Sequence, residues 1–264
     1  MGFSDILPGY MHYDMDWLIG KYENDAPLKY IYFWGHTAAS DTVGKECFSQ
    51  WYPGTFTVNN VVYKTAEHWM MAQKALLFRN PEIFRKIVTS EKPGEVKELG
   101  RQIIGFDELI WDAEKYNIVR LGNIHKFNQH KALKEFLLSS DGRVLVEASP
   151  LDNIWGIGLA KDSEYISNLY AWPGTNLLGF ALMEVRDFLL EFGDIPGDDG
   201  EIIPPWRMYP GIHPSDMFYR MGEGEEYVTR LSAQFGTLDR RARVVYYLNN
   251  PAPYEWKDFY WDFV

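Results

Sequence analysis

The sequence predicts an α+β fold: a mainly helical domain with small β-sheet elements, followed by a C-terminal extension. Short β-prone runs lie near residues 31, 58 and 145, and most of the chain between the last two has apolar residues at helical spacing. The 264 residues are 46% hydrophobic and 16% aromatic. That composition is enough to bury a core, and it excludes global disorder.

Three segments are predicted along the chain. Residues 1–28 mix aromatic and acidic residues without a clean period, which predicts an irregular leader. Residues 29–193 carry the periodic segments and form the predicted central domain. After Gly193 a loop-like stretch rich in glycine and acid begins an extension, residues 194–264, which is acidic and rich in aromatic residues. We expect those aromatic residues to pack the extension on the core.

The β elements of the central domain come first. The apolar run at 30–34 ends at Gly35 and is typical of a short buried strand. Two β-prone runs, 55–58 and 61–63, flank Asn59-Asn60, a pair that tolerates the positive φ of a tight turn. The sequence therefore predicts a strand followed by a hairpin.

Helices follow the hairpin. Thr65 is a predicted N-cap for a helix that Asn80-Pro81 would stop, and Pro93 lies in the first turn of the next helix. Further helices are predicted at 111–121 and 132–138, then a strand at 143–148 and a glycine-containing loop at 155–158. Asn176 is the predicted cap of a last helix, which Gly193 would end.

Composition excludes several classes of function. The 26 Lys and Arg against 37 Asp and Glu give a net charge of -11, which disfavours non-specific binding to nucleic acid. The single cysteine, Cys47, cannot form an intramolecular disulfide. No apolar run has the roughly 18 residues of a membrane span, and the start lacks the pattern of a signal peptide. We expect a cytoplasmic protein with no membrane association.

Common motifs for cofactors and metals are also missing from the sequence. His-Glu-x-x-His, Gly-x-Ser-x-Gly, Walker and dinucleotide-binding patterns do not occur, and no cluster of metal ligands is visible. We therefore predict neither a metal nor a cofactor.

Glu67 and Lys74 are the first candidate site residues. They are seven residues apart on the predicted helix, close to two turns, and so share one face. A solvated charged stripe is the ordinary interpretation of such a pair. Trp69, Met70 and Met71 surround it with apolar bulk, however, which favours a partly desolvated Glu67 with a raised pKa.

Two loops supply further candidates. Asp152 lies between the predicted strand and the Trp155-Gly156 loop, where it either caps a turn or takes part in chemistry. Lys45 begins a loop with a thiol and stacking aromatic residues that would suit a purine. The alternative there is an apolar anchor for the loop, with Lys45 in water.

Taken together, these stretches resemble the NADAR, or YbiA-like, family. The resemblance covers about residues 30–190, and its Ala-Glu-His and Asp-x-x-Trp-Gly segments are specific in combination. The matching segments are residues 47–51 (CFSQW), 63–74 (YKTAEHWMMAQK), 99–101 (LGR), 111–112 (WD), 126–129 (KFNQ), 146–158 (VEASPLDNIWGIG) and 174–183 (GTNLLGFALM).

The resemblance implies an N-glycosidase that hydrolyses the bond between a ribose carbon and a nitrogen. Its substrate would be a guanine base carrying ADP-ribose, in a nucleotide or in DNA, or a ribosylated pyrimidine phosphate of riboflavin synthesis. The first activity is that of an antitoxin, which would reverse DNA modification by an ADP-ribosyltransferase toxin encoded nearby. The family pattern places Glu67, Trp111 and Asp152 in the active site, and Lys45 is a further candidate.

These residue types suit the reaction. Glu67 would handle protons, Asp152 would activate water or stabilise the sugar cation, and the two roles are interchangeable. Lys45 would instead trap the opened sugar as a Schiff base. The remaining predicted substrate-binding residues are Trp111 as a stacking ring, Arg101 and Lys74 as phosphate ligands, and Trp155, Gly156 and Asn176.

Two other classes of function stay open. One is a binding module that holds ADP-ribose or NAD without turnover, although such a module would not need both Glu67 and Asp152. The other is a protein whose aromatic C-terminal extension binds a partner. Short members of the family lack this extension, and it leaves the choice of substrate open.

Overall fold

A computed structural model describes residues 11–37, 42–197, 200 and 202–263. Residues Met11–Gly193 form one unit, and the described residues from Asp194 onward belong to a second. The packing of the extension on the central domain stays a prediction.

Two pairs of strands organise the first unit. Strand β1 (Tyr30–Phe33) pairs in parallel with β4 (Val144–Glu147), so that Phe33 lies opposite Glu147 at the carboxyl edge. Strands β2 (Phe56–Val58) and β3 (Val61–Tyr63) form an antiparallel hairpin. Asn59 and Asn60 have φ of 50° and 62°, and the predicted hairpin is confirmed.

Helices build the rest of this unit. Their bounds are α1 Met15–Glu23, α2 Ala66–Leu77, α3 Pro81–Thr89, α4 Pro93–Arg101, α5 Glu108–Gln129, α6 Lys131–Leu138 and α7 Leu177–Phe192. Helix α2 packs on α3, α4 and α5, while α7 packs on both α5 and β4. The predicted mainly helical α+β fold is confirmed.

Two helices of the first unit lie where the sequence predicted none. Helix α1 occupies part of the predicted irregular leader, because Asp14 caps it by accepting from Trp17 N and Leu18 is fully buried. Asn80-Pro81 does end α2, but Pro81 is also the first residue of α3. Proline has no N–H to lose at that position, so it starts a helix as readily as it stops one.

Helix α5 is longer than predicted. It runs to Gln129 rather than Leu121, because Asp107 caps its start and no proline interrupts it, while Gly122 within it is buried against the Trp69 ring. The polar residues Arg120, Asn123 and Lys126 interrupt the helical pattern of apolar residues in that half. All three are nevertheless buried and hydrogen-bonded.

Asn176 precedes α7 but does not cap it. Its side chain donates to Leu145 O at 2.9 Å and accepts from Glu147 N at 3.0 Å. Because the amide oxygen and nitrogen are both hydrogen-bonded to β4, the side chain accepts no hydrogen bond from the first turn of α7. The residue itself adopts a left-handed φ of 54°. Asn176 therefore joins α7 to the strand that ends in Glu147.

Gly179 lets α7 lie directly on β4. A Cβ at this position would be 2.1 Å from Leu145 O, a backbone atom that cannot move aside. We expect Gly179→Ala to lower the free energy of unfolding by about 1–3 kcal/mol, as other overpacking substitutions do. Gly20→Ala is the matched control, because Gly20 faces open space within α1 and alanine favours a helix. Urea unfolding of both variants measures the difference, and equal midpoints would contradict the prediction.

A buried ion pair connects α5 to α7. Arg120 lies 2.8 Å from Glu184, and their side chains are 4% and 1% exposed. Glu184 also accepts from Tyr116 OH at 2.9 Å and from His12 N at 2.7 Å. One carboxylate thus ties together two helices and the segment before α1.

The second unit is helical as well. Its helices are α8 (Pro205–Met208), α9 (Glu223–Thr237) and α10 (Arg240–Asn249). The aromatic residues of the extension form its interior, where Tyr247 and Tyr260 meet edge to face at 4.9 Å. Other buried members are Tyr227, Phe235 and Tyr246. In the described part of the chain, no helix has the length and apolar character needed to cross a membrane.

Candidate active site

Glu67 is a buried acid in the first turn of α2. Thr65 caps this turn by accepting from His68 N, and Glu67 N donates to Gln50 O at 2.9 Å. The side chain of Glu67 is nearly enclosed, since the residue is 3% exposed, and the Trp51 side chain hydrogen-bonds to it. These contacts hold the carboxyl group at one place in the interior.

Burial raises the pKa of Glu67 to about 7. Asp152 raises it further by charge repulsion, while Lys97, the hydrogen bond from Trp51 and Lys74 act in the opposite direction. The expectation of a desolvated Glu67 therefore agrees with the structure. A carboxyl group with this pKa is able both to donate and to accept a proton near neutral pH.

Asp152 follows β4 and caps a turn there, while its part in chemistry stays a prediction. Its Oδ1 accepts from Ile154 N at 2.9 Å and from Trp155 N at 2.8 Å, which is the turn-capping role. The same carboxylate interacts electrostatically with Glu67 and is partly exposed. Asp152 is thus held rigidly by two backbone donors at the side of a buried acid.

Glu147 is a third acid near the site, and it was not predicted from the sequence as a site residue. It is the last residue of β4, and its carbonyl accepts from Ile157 N at 2.9 Å. Burial raises the pKa of Glu147 to about 8, with further contributions from Asp152 and Glu67 that outweigh the opposing effect of Lys97. The available signal was its place at the end of a buried strand, five residues before Asp152.

Gly156 and Asn176 both pack on the backbone of β4 near Glu147. A Cβ on Gly156 would lie 2.8 Å from Glu147 O, so the loop after β4 packs on the strand backbone. Asn176, predicted to bind substrate, is fully buried, and its amide is used by β4. Both residues shape the site through the backbone. Trp155, the other predicted residue of this loop, is partly exposed.

Lys74 and Trp111 form a second group beside Glu67. Lys74 Nζ lies 5.2 Å from the centroid of the Trp111 ring and 4.2 Å from that of Phe106. Burial lowers the pKa of Lys74, and the charge of Glu67 raises it. An amine lying over two aromatic faces offers both charge and stacking surface to a ligand.

Lys74 and Arg101, both predicted phosphate ligands, differ in their surroundings. Arg101 Nη1 pairs with Glu98 at 2.5 Å on the surface, where the side chains are 65% and 61% exposed. We expect Lys74→Met to raise KM about tenfold or more with a small change in kcat, because an interaction with a charged group is worth about 1.5–3 kcal/mol. Arg101→Met is the matched control, with KM expected within twofold. Steady-state kinetics on both variants measures the effect, and equal KM values would show that Lys74 does not hold the substrate.

Lys45 lies at the start of a 3-10 turn, Lys45–Phe48, after β1. Its Nζ donates to Tyr32 O at 2.7 Å. Burial lowers the pKa of Lys45, and the neighbouring Lys161 lowers it further. The contacts of Lys45 are therefore with β1 and Lys161, whereas Lys74 donates to Gly100 O at 3.4 Å, lies over the aromatic pair and interacts electrostatically with Glu67. Cys47 in the same turn is buried, and burial raises the pKa of its thiol to about 12.

The arrangement joins acids of different character. The pKa of Glu67 is raised to about 7 and that of Glu147 to about 8, while Asp152 is fixed by backbone donors. Across the ranges that the structure describes, no group of three or more His, Cys, Asp or Glu is disposed to hold a metal ion. Carboxyl groups of this kind are suited to proton transfer and charge stabilisation.

Comparison with known proteins gives one family. The family model for the NADAR domain matches residues 32–190. The chain is 42% identical over 164 residues to N-glycosidase R617 of Acanthamoeba polyphaga mimivirus, an alignment that covers 60% of this chain and 95% of that protein. It is 34% identical over 141 residues to the chloroplastic riboflavin biosynthesis protein PYRR of Zea mays, covering 51% of this chain and 20% of that protein.

A solved structure is also similar. The NMR structure of the Escherichia coli protein YbiA matches with a TM-score of 0.50 and 26% identity, covering 62% of this chain and 86% of that one. In the K12 strain this protein is named N-glycosidase YbiA, and it is 29% identical to the chain over 152 residues.

Proposed function

Because the chain belongs to the NADAR domain family, we propose that it is an N-glycosidase-type hydrolase that cleaves a ribosyl C–N bond. The buried Glu67 beside Asp152 is the observation that carries this proposal. Relatives named N-glycosidase support the type of reaction. The substrate we propose is guanine bearing ADP-ribose, in a nucleotide or in DNA.

The carboxyl groups divide the reaction between them. Glu67 protonates the leaving nitrogen as the C–N bond breaks and its electron pair passes to that nitrogen. Asp152 stabilises positive charge on the ribosyl carbon and accepts a proton from the attacking water. Because Ile154 N and Trp155 N fix Asp152, its charge does not have to reorient during the reaction.

Lys74 and Trp111 suit an anionic, flat substrate. The Trp111 ring would stack on the base, and Lys74 would pair with a phosphate group of the ADP-ribose. The net charge of -11 favours a nucleotide or a short single strand over long DNA, since the field of the whole protein repels polyphosphate. An ADP-ribosyltransferase that modifies guanine would be the partner whose product this enzyme removes.

The experiment compares substrates directly. Purified protein is incubated with guanine-ADP-ribosylated DNA, with the matching nucleotide and with a ribosylaminopyrimidine phosphate, and sugar release is followed by mass spectrometry. Release of ADP-ribose from the guanine substrates is the expected result. Binding of ADP-ribose without release from any substrate would overturn the hydrolase and favour a binding module.

A second substrate has its own support. The similarity to PYRR of Zea mays, whose name refers to riboflavin biosynthesis, favours a ribosylaminopyrimidine phosphate as the alternative. Such a molecule carries one phosphate and a smaller base than ADP-ribosyl-guanine. Release from the pyrimidine alone would replace the guanine substrate and leave the C–N hydrolysis in place.

Lys45 gives the reaction a covalent alternative. A partly buried amine with a lowered pKa is neutral more often than an ordinary lysine, so it is able to attack the opened sugar. We expect borohydride to trap a sugar adduct on Lys45 during turnover, detectable by peptide mass spectrometry. Lys131→Met keeps Lys45 and its neighbours, and it is the control for general lysine labelling because Lys131 is an exposed surface lysine. Turnover without any adduct at Lys45 would exclude the covalent route.

A further inference from the structure

Lys126 is a fully buried cation in α5 that the proposed reaction does not use. Its exposed fraction is 0%, although lysine is almost never fully buried unless it is paired. Removing an ammonium group from water is costly, so strong hydrogen bonds are needed to keep it inside the protein. The role of Lys126 therefore depends on what these bonds hold in place.

The ammonium group of Lys126 holds the backbone of the segment 47–51. Its Nζ donates to Cys47 O at 2.7 Å and to Ser49 O at 2.9 Å. It also lies 5.7 Å from the centroid of the Tyr52 ring, within the range of a cation–π interaction. Charge-assisted hydrogen bonds are stronger than neutral ones, so both carbonyl groups are held tightly.

Asn123 holds the same segment from the preceding turn of α5. Asn123 and Lys126 are three residues apart, so their side chains leave the helix on one face. Asn123 Oδ1 accepts from Gln50 Nε2 at 3.3 Å, and its Nδ2 donates to Val119 O at 2.8 Å, which fixes the direction of the amide. Two side chains of α5 thus anchor the segment 47–51 through three hydrogen bonds.

The segment 47–51 is in turn bonded to Glu67. Glu67 N donates to Gln50 O at 2.9 Å, and the Trp51 side chain hydrogen-bonds to the Glu67 carboxyl group. Glu67 lies in the first turn of α2, where backbone N–H groups have no partner within the helix. Gln50 O supplies that partner from outside the helix. A shift of the segment would therefore move both groups that hold Glu67.

We propose that Lys126 and Asn123 are positioning residues for Glu67, and that they act through the segment 47–51. This inference rests on the proposed function, in which Glu67 protonates the leaving nitrogen. A proton donor has to lie within hydrogen-bond reach of the atom that it protonates. A displacement of about 1 Å costs about 10²-fold in rate, so loss of an anchor lowers kcat even though neither anchor binds the substrate.

Lys126→Met tests the proposal, because methionine fills much of the same space but donates no hydrogen bond. Arg186→Met is the matched control, since Arg186 is also a buried cation, 4% exposed. Its Nη1 donates to Ser140 O at 3.0 Å and to Arg143 O at 2.8 Å. We expect both variants to lose stability, but only Lys126→Met to lose kcat, by about 10²-fold with little change in KM. Equal kcat values in the two variants would overturn the proposal.

A second measurement does not depend on turnover. The Trp51 indole has one N–H, and its hydrogen bond to Glu67 should protect that proton from exchange with solvent. In ¹⁵N–¹H NMR we expect the exchange of this proton to be faster in Lys126→Met than in the wild type. Trp69, whose indole donates to Ile118 O at 2.8 Å, should keep its protection in the same spectra. The Trp51 resonance is assigned from its loss in Trp51→Phe.

Asn123→Ala removes the other anchor and keeps the test decisive if Lys126→Met does not fold. We expect the same two changes in this variant but a smaller loss of kcat, because the bond to Gln50 is between neutral groups. If no substrate is hydrolysed, the proposed function fails, and the exchange of the Trp51 proton alone decides whether α5 positions Glu67. Unchanged exchange of that proton in a folded variant of either anchor would overturn the positioning role.

Discussion

Glu67→Gln is expected to lower kcat by about 10²–10⁴, which is the range that general acid catalysis supplies. Glutamine fills the same enclosed space and can still hydrogen-bond to Trp51, so the fold around it should persist. It cannot donate the proton that the leaving nitrogen needs. Single-turnover rates measured with saturating enzyme separate this loss from any change in affinity.

The pH dependence of the same reaction gives a check on Glu67. Its pKa is raised to about 7, so the protonated acid is the main form below that pH and is lost above it. Wild-type kcat should therefore fall as pH rises through about 7. Asp112→Asn is a suitable control, since Asp112 is an exposed acid that pairs with Lys115. Full activity in Glu67→Gln would exclude Glu67 as the proton donor.

Glu184→Gln is expected to give the largest loss of stability in the chain. The substitution removes the carboxylate charge that lies 2.8 Å from the Arg120 guanidinium, whose side chain is 4% exposed. Breaking a buried pair in this way costs about 3–5 kcal/mol. For a domain of this size the loss corresponds to a decrease in Tm of about 10 °C.

Differential scanning calorimetry of the first unit's transition measures this effect. Asp187→Asn is the matched control, because Asp187 contacts Tyr13 and Arg186 but its side chain is 31% exposed. We expect that variant to lose about 1 kcal/mol or less. Melting of the two variants at the same temperature would show that the network around Glu184 contributes little.

Local signals explain what the sequence predicted correctly. Thr65 before α2, Asn59-Asn60 between β2 and β3, and Gly193 after α7 each act within a few residues, and the structure confirms all three elements. Where a local signal had two meanings, the prediction was incomplete. Pro81 both ends one helix and begins another, and only the end of the first helix was predicted.

Long-range contacts explain what the sequence missed. Nothing near Glu147 in the chain indicates that it interacts electrostatically with Glu67, which is 80 residues away, because that interaction depends on the tertiary structure. Asn176 resembled a helix cap for the same reason. Its true partners, Leu145 and Glu147, are about 30 residues earlier in the chain.

The pairing of β1 with β4 also bears on how the active site forms during folding. Tyr30 pairs with Val144 across 114 residues, whereas the hairpin and α2 need only neighbouring residues. Closing so long a loop costs entropy before any contact rewards it, so we expect this pairing to form late. Glu147 lies on the second strand, and Asp152 follows it. In a chain still leaving the ribosome, Glu67 would thus lie in its helix before Glu147 and Asp152 are in place. Recovery of activity on refolding should therefore report the pairing of β1 with β4.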